Sequence, residues 1–574
     1  MQLRELPQGR KLQILGGVLL AMLLGALDAT IVGPAMPNIV RELGGMAMLA
    51  WVFTSYSLTS TIAIPIVGKL SDLYGRKWFY LGGIVIFLVG SALSGAAGEP
   101  WLNAVFSGVL GDASPMMQLI VFRGLQGLGG GMMMANAMAI IGDLFEPRER
   151  ARYQGLTGAV FGLASVFGPM LGGWLTDSLS WRWIFYINIP LGIMALVVLA
   201  RVMPTPVPGQ QHRVDWWGGL ILTAGLVPLL LGLTWGGYEY AWGSQVILGL
   251  FAAALVMLAL FVLRELRASE PILDVRLFRD RSFSASMSVL FLSGVGMFGS
   301  IMFLPTFMQV VLGKSASNSG ALLTPMMIAM ISGSVLTGQL IARTGRYKAY
   351  GIVGLAVSTV GMFALSTITV DTTSAVLGVY MVLVGVGIGV TMPLFTISLQ
   401  SQFQTRIGEV TGALQFFRSI GGTVGVALLG GVMNATFARE LKALLESQRG
   451  SFGGAFSMLS KLADEPGKLL NAGALQAIAS KVPEQLKPML AKFATDINEA
   501  LTVGISTAFF WGFVMMALAF VAMWFVREIP LSGRPHLDTA AEIATEILAE
   551  EAVQPVEHEP HVVGEPEGEG EPTG

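Results

Sequence analysis

The chain has 574 residues, of which 53% are hydrophobic and only 13% charged. An average soluble protein is about 25% charged, and the mean hydropathy here is +0.67. Disorder is excluded over most of the length. A formal net charge of -2 with no dominant basic patch excludes a nucleic-acid binder, and the absence of cysteine excludes disulfides, thiolate metal sites and cysteine nucleophiles. What is left is a protein that crosses a membrane many times.

A membrane-crossing helix needs about 20 apolar residues. Fourteen such runs follow one another, near 12–33, 49–68, 78–98, 116–138, 154–176, 183–203, 216–236, 244–263, 284–306, 321–341, 350–369, 375–398, 410–433 and 502–526. The first is too long for a signal-peptide core and leads straight into further spans, so it is expected to be retained. Alternate loops differ in charge. Those on the side of the amino terminus carry seventeen Lys and Arg, among them Lys69, Arg148, Arg264, Arg346 and Arg406, while the short loops opposite carry only Arg41, Arg182 and Lys314. Positive loops stay in the cytoplasm, so both termini are expected there, in a cell membrane. The two sides are called below the basic face and the opposite face.

Three polar segments interrupt this pattern. Residues 434–500, on the opposite face, contain FARELKALLESQ and PEQLKPMLAKFATDINEAL, with apolar residues at helical spacing. They are expected to continue the two flanking spans beyond the lipid or to lie on its surface. Residues 99–115, with Trp101 and Phe106, are read as an interfacial helix. Residues 535–574 hold 11 acidic side chains and no Lys or Arg, and they end in EPEGEGEPTG, which cannot bury a core. Without that tail the chain is formally +9, from 35 basic and 26 acidic groups.

An internal repeat organises the spans. GKLSDLYGRK (68–77) and GQLIARTGRYK (338–348) share Gly68, Leu70, Gly75 and Arg76 with Gly338, Leu340, Gly345 and Arg346, an offset of 270 residues. Both follow the second span of a half. The implied organisation is an amino-terminal stretch 1–11, a six-helix bundle 12–203, a linker 204–283 with two further spans, a second six-helix bundle 284–530 carrying the insertion 434–500, and an acidic tail 531–574. Duplicated halves place a cavity between them near the midplane, which is a transporter design.

The motifs in order resemble the major facilitator superfamily, and within it the fourteen-span drug:proton antiporter branch, over about residues 12–530. LDATIVGPAMPNI (27–39) is similar to the branch's first-span motif, GKLSDLYGRK to the superfamily's loop motif, and LIVFRGLQGLGGG (119–131) to the fourth span with its buried Arg. GAVFGLASVFGPMLGG (158–173) resembles the antiporter motif of span five, WRWIFYINIPLG (181–192) the lead-in to span six, FFRSIGGTVGVALLG (416–430) span thirteen, and REIPL (527–531) the exit from the last span. The resemblance implies an all-α fold of two six-helix bundles plus two central spans. It also implies proton coupling through Asp28 and Arg123, gating by Gly68, Asp72, Gly75, Arg76 and Lys77, and an exporter's strip at Gly158, Gly162, Gly168, Pro169, Gly172 and Gly173.

The residues themselves speak to the same roles. Asp28 is the one carboxylate well inside the predicted spans, and an ionised Asp there costs about 2.5–3.5 kcal/mol on insertion scales. It needs a cavity or a partner, and protonation removes its charge, which makes it either a proton carrier or one half of a structural pair. Arg123 cannot deprotonate, so it requires an anion or carbonyls; it either tunes Asp28 or simply ties helices together. Arg418 raises the same question in span thirteen. No His lies in a span, which removes a His relay and leaves Asp28, or acids near the basic face such as Asp72 and Asp143.

Asp72 with Arg76 and Lys77 is either a latch, accepting from a neighbouring helix end in one conformation, or a solvated loop that sets topology. In the second copy Ala342 stands in its place, so any latch is expected to belong to the first half. The small residues of span five permit close helix approach, and Pro169 bends the axis; the strip is expected to form the moving seam between halves.

The expected function is proton-coupled multidrug efflux of lipophilic neutral or cationic compounds by alternating access. Its partners are small lipophilic substrates, protons and membrane lipids, with an extracytoplasmic partner through 434–500 left open. No nucleotide motif is evident, and no metal, cofactor or enzymatic residue set is expected. An exporter of lipids or cell-envelope components, and a non-transporting membrane sensor, are the alternatives.

Overall fold

The computed structural model describes residues 3–45, 48–102, 114–205, 215–237, 239–314, 316–447, 487–529 and 531. The expected acidic tail and most of 99–115 lie outside these residues, as does the middle of 434–500. Fourteen long helices carry the fold. They are α1 Gln8–Leu43, α2 Leu49–Tyr74, α3 Arg76–Gly95, α4 Pro115–Leu144, α5 Pro147–Ser178, α6 Trp183–Val202, α7 Trp216–Trp235 and α8 Gln245–Glu265. After them come α9 Arg281–Val311, α10 Ala316–Thr344, α11 Lys348–Leu365, α12 Ser374–Gln402, α13 Ile407–Ser447 and α14 Lys487–Met523. Each takes in most of one of the fourteen apolar runs.

Thirteen of these helices are apolar and long enough to cross a bilayer on their own account. The exception is α4, whose apolar character is diluted by Gln118, Arg123, Gln126, Asn136 and a run of glycines. The physical reason is its position. It packs between α2 and α3 and most of it is buried, so it meets protein where other spans meet lipid. A Cβ on Gly129 would strike the backbone of Phe87, and one on Gly131 the carbonyl of Ser60; absent side chains allow α4 this approach. Its start is marked by Ser114, whose hydroxyl accepts from the Met117 N–H at 3.3 Å, with Pro115 at the first helical position.

The internal duplication is visible in the packing. In the first half α2 and α3 pack on α4, and α1 on α5 and α6; in the second α10 and α11 pack on α12, and α9 on α13 and α14. The halves meet reciprocally, α5 on α10 and α2 on α13, then α5 on α12 and α4 on α13. The linker spans α7 and α8 pair with each other, α7 also touching α2 and α13. Their surface is largely apolar and exposed, as at Leu248, Leu255 and Val256. Exposed tryptophans sit at helix ends on both faces, Trp78, Trp216, Trp217 and Trp524 on one and Trp101, Trp174 and Trp183 on the other, the distribution of an interfacial aromatic belt.

α13 has 41 residues and α14 has 37, roughly 60 and 55 Å at 1.5 Å per residue, against about 30 Å of hydrocarbon. Both are longer than one crossing needs, and they run from the flanking spans into 434–447 and 487–500; the residues between lie outside the described ones.

Candidate functional site

The first-half charges lie in the core of that bundle. Asp28 on α1 and Arg123 on α4 are both inaccessible to solvent. Arg123 Nη1 donates to Asp28 Oδ2 at 2.5 Å and to Gln126 Oε1 at 2.9 Å. Gln126 Nε2 donates to Asp28 Oδ1 at 2.8 Å, and Asn188 Nδ2 on α6 donates to the same oxygen at 3.2 Å. Asn188 is itself held by Ser91 on α3, 3.0 Å away. The guanidinium lies 4.4 Å from the centre of the Tyr56 ring, and its Nε reaches the Val52 carbonyl at 3.4 Å.

Asp28 therefore accepts three hydrogen bonds as a carboxylate, from α4 and α6. Arg123 has an anion, an amide, a carbonyl and an aromatic face, all that a desolvated guanidinium requires. Apart from Asp28, the guanidinium thus has Gln126, the Val52 carbonyl and the Tyr56 ring within reach. Sequence reasoning missed Gln126, Asn188, Ser91 and Tyr56. Gln126 carried a faint signal, three residues after Arg123 and so on the same helix face.

The second cluster is at the basic face. Gly75 ends α2 with φ of 95°, a backbone state that glycine adopts without strain. This turn brings Asp72 beneath the first turn of α13. Asp72 Oδ1 accepts from the Gly408 N–H at 3.0 Å and Oδ2 from the Glu409 N–H at 2.7 Å, a carboxylate seated on the positive end of a helix of the other half. Arg76 pairs with Asp72 and with Asp143 at 2.9 Å, and donates to Ser71 at 2.7 Å. Lys77 faces away, donating to the carbonyls of Ala200 and Met203 at the end of α6. Gly68 permits the approach, because a Cβ there would lie 2.9 Å from the Gly408 carbonyl oxygen.

Glu409, which the sequence did not single out, links a third element. It pairs with Lys69 at 3.3 Å and accepts from the Asp274 N–H at 2.8 Å. Asp274 lies in the loop after α8 and pairs with Arg406 at 2.8 Å. The hydrogen bond that Arg406 donates to Asp274 holds its guanidinium above the ordinary arginine range, against the opposing effect of burial and with help from the charges of Glu409 and Asp274.

Further polar contacts join the halves from the basic face inwards. Gln154 donates to Gln400 at 2.7 Å, Ser334 to the Gly155 carbonyl at 2.9 Å, and the hydroxyls of Thr61 and Ser419 are 2.9 Å apart. Ser419 is 12 residues into α13, about 18 Å along its axis, so the seam is closed to about the middle of the bundle.

The glycine strip of α5 corrects an expectation. Gly158 and Gly162 do face the other half, where added Cβ atoms would overlap Ser334 and Ile331 of α10. Gly168 and Gly172 face Thr30 and Ile31 of α1, in their own half, and Gly173 faces open space. The strip is thus two contacts and one free position. At 100° per residue the five glycines span an arc of about 140°, wide enough to touch two neighbouring helices at different depths. Pro169 lies inside α5 within the second contact, between Gly168 and Gly172.

In the second half, Arg418 on α13 donates to Gln415 of its own helix and lies 5.9 Å from the centre of the Phe161 ring on α5. It has no carboxylate partner among the described residues. The equivalent of the Asp72 loop is held differently. Gly345, at φ of 67°, accepts from the Leu531 N–H at 3.0 Å, and Arg148 donates to the Leu531 carbonyl at 2.7 Å.

Comparison with known proteins agrees with this architecture. The family described as Major Facilitator Superfamily matches residues 18–426. The chain is 41% identical over 544 residues to the multidrug transporter protein MdtP of Bacillus subtilis, covering 93% of this chain and 96% of that one. It is 35% identical to multidrug resistance protein 3 of the same organism, covering 92% and 96%. Among solved structures, the proton:xylose symporter XylE matches with a TM-score of 0.53 at 14% identity, over 92% of this chain and 98% of that one. An all-helical chain of two duplicated bundles, matched along most of its length by transporters of one kind, belongs to the major facilitator superfamily and is a membrane transporter, not an enzyme.

Proposed function

We propose that the protein is a proton-coupled multidrug exporter that moves lipophilic neutral or cationic compounds across a cell membrane by alternating access, with both termini in the cytoplasm. The observation that carries this reading is the Asp28–Arg123 pair, a solvent-free carboxylate whose one ion-pair partner among the described residues is a guanidinium with a second set of partners. The names of the relatives support multidrug export, and the excess of Lys and Arg on one face supports the orientation.

In the cycle proposed here, Asp72 on the α13 N-terminus and Lys69 on Glu409 hold the basic face shut. The ionised Asp28 keeps Arg123 and draws α1 toward α4. A proton taken up on Asp28 neutralises the carboxylate and frees Arg123 to Gln126 and Tyr56. The weakened tie between α1, α4 and α6 lets the first half rock, opening the latch. Loss of the proton to the cytoplasm restores the pair. An inward-directed potential of 100 mV contributes about 2.3 kcal/mol per proton, enough to bias such a cycle.

The test is efflux of a fluorescent lipophilic cation from proteoliposomes with an imposed pH gradient. Wild type should export only with the gradient, and Asp28→Asn should not export at all. Gradient-independent export, or full activity of Asp28→Asn, overturns the reading. A second reading, export of lipids or envelope components, is favoured by the length of α13 and α14 beyond the opposite face. It requires that shortening 434–500 abolish function while dye efflux persists elsewhere unaltered. The extracytoplasmic partner left open for 434–500 belongs to this second reading.

A further inference from the structure

The proposed mechanism leaves Arg418 unused. It lies 11 residues into α13, about 16 Å from the start of the helix and so near the depth of the hydrocarbon midplane. A cation at that depth is costly and needs an anion, a set of acceptors or water. Arg123 in the first half has all of its partners; Arg418 has the Gln415 side-chain oxygen of its own helix and the Phe161 ring, and no acid among the described residues. It is only partly buried, and it borders a crevice of about 10 Å³ between α9, α12, α13 and α14, with Ser293, Thr391, Met297, Met392 and Met516 in the wall, room for no more than one water while the seam is shut.

Resting on the export reading above, we propose that Arg418 is the polar anchor point of the substrate site, reached when the halves rock and this crevice widens, and that it donates to an oxygen acceptor, a carboxylate or a carbonyl, on an otherwise lipophilic compound. A guanidinium offers several N–H donors in a fixed fork that suits such oxygens. Three methionines supply an adaptable apolar wall for varied bodies, and the hydroxyls of Ser293 and Thr391 add weaker polar contacts. The same fixed positive charge repels cations, so of the proposed substrate range the neutral compounds are favoured and anionic ones are added. Phe161 belongs to the first half and covers Arg418 only while the seam is shut at the basic face; rocking of the halves moves that ring and changes what the guanidinium meets. Ligand affinity at Arg418 is thereby tied to the conformational state, which is what transport requires.

The experiment uses three probes with one body: 11-(dansylamino)undecanoate, its methyl ester, and the corresponding terminal primary amine. Binding to the purified full chain is followed by dansyl fluorescence, and pH-gradient efflux is followed in proteoliposomes. Wild type should bind carboxylate and ester more tightly than amine. Arg418→Gln should lose about tenfold or more of the carboxylate affinity, the size expected for a charge-assisted hydrogen bond, and narrow the gap to the amine. Arg418→Lys, which keeps charge but not the fork, should retain the preference for carboxylate over amine and lose affinity for the ester. Equal binding of the three probes by wild type overturns the proposal, as do unchanged ratios in Arg418→Gln with a monodisperse, normally stable protein. If Arg418→Gln does not fold, Arg418→Lys decides on its own by the same ratios. Failure of wild type to couple any efflux to the gradient removes the export reading instead, while the binding ratios still report on Arg418.

Discussion

The two halves share a packing plan and differ in where they keep charge. Helices one to six of each bundle contact one another in matching pairs, yet among the described residues the fully buried acid–base pair lies in the first half, and the second half has Arg418 without an acid. The loops repeat the contrast. Asp72 seats on the α13 N-terminus, whereas at the position of Ala342 no carboxylate exists and the loop is held by Leu531 through backbone contacts and Arg148. Packing depends on small and apolar residues, which survive duplication as shape. Charge depends on a single residue with its partners, so either copy can lose it without disturbing the frame. In the cycle proposed above, this asymmetry would put proton handling and latching in the first half and leave the second half's cation to another task.

The largest effect that can break this division is at the buried pair. Asp28→Asn should abolish gradient-driven efflux. Arg123→Gln alone should lower stability by about 3–5 kcal/mol, because removing one partner strands a buried charge. The double variant Asp28→Asn/Arg123→Gln should recover much of that stability and none of the transport. Thermal unfolding in detergent beside proteoliposome efflux separates the two quantities. Additive stability losses would show that the pair is not an energetic unit, and the contrast with Arg418 would lose its meaning.

Next in size is the latch. Asp72→Asn keeps shape but removes the charge at a helix N-terminus and beside Arg76, an interaction worth about 1–2 kcal/mol. It should cut efflux by about tenfold or more without lowering expression. Ala342→Asp in the second copy should change efflux by less than twofold, since the backbone there is already engaged with Leu531. A strong effect of Ala342→Asp, or none of Asp72→Asn, would make the two loops equivalent after all.

How much of this was legible in the sequence follows from the kind of interaction. The fourteen spans were readable because burying an apolar run in lipid leaves a composition mark; α4 has the faintest mark because protein, not lipid, surrounds it. Asp28, Arg123 and Asp72 were readable because a charge in or beside a span is expensive. Their partners were not. Gln126, Asn188 and Ser91 are neutral and come from three different helices, and the groups that bind Asp72 are the backbone N–H donors of Gly408 and Glu409, which any sequence supplies. Nothing in the sequence marks Glu409, whose partners Lys69 and Asp274 come from two distant segments of the chain. The glycines of α5 showed that close packing occurs but not against whom.

That strip offers a finer test. Gly158→Ala meets Ser334 across the seam, Gly168→Ala meets Thr30 within the first half, and Gly173→Ala meets nothing. Gly158→Ala should slow transport several-fold with little loss of stability, since it obstructs only the closed seam. Gly168→Ala should lower stability by about 1–3 kcal/mol, the range for overpacking, and Gly173→Ala should do neither. Transport rate and melting temperature of the three variants together locate the boundary between moving and fixed surfaces along one helix.

The smallest effect concerns the linker spans, which belong to neither half. Asp215 caps α7, accepting from the Gly218 N–H at 3.0 Å, and pairs with Arg264 at the end of α8 at 2.9 Å. Burial pushes the Asp215 carboxyl up, but the hydrogen bonds from Arg264 and the Gly218 backbone, with the charge of Arg264, outweigh it and hold the group below the ordinary carboxylate range. A group lowered in the folded state stabilises at any pH above its unfolded value, and that contribution fades as pH falls through the folded value. Asp215→Asn should therefore cost about 1 kcal/mol at neutral pH, a cap's usual worth, with the difference from wild type shrinking only under strongly acidic conditions. Transport should be nearly unchanged, because Asp215 touches α7 and α8 and not the seam. A marked loss of efflux in Asp215→Asn would mean that the linker spans move with the latch through Asp274 and Glu409, and that the two-sided comparison of halves has a third working part.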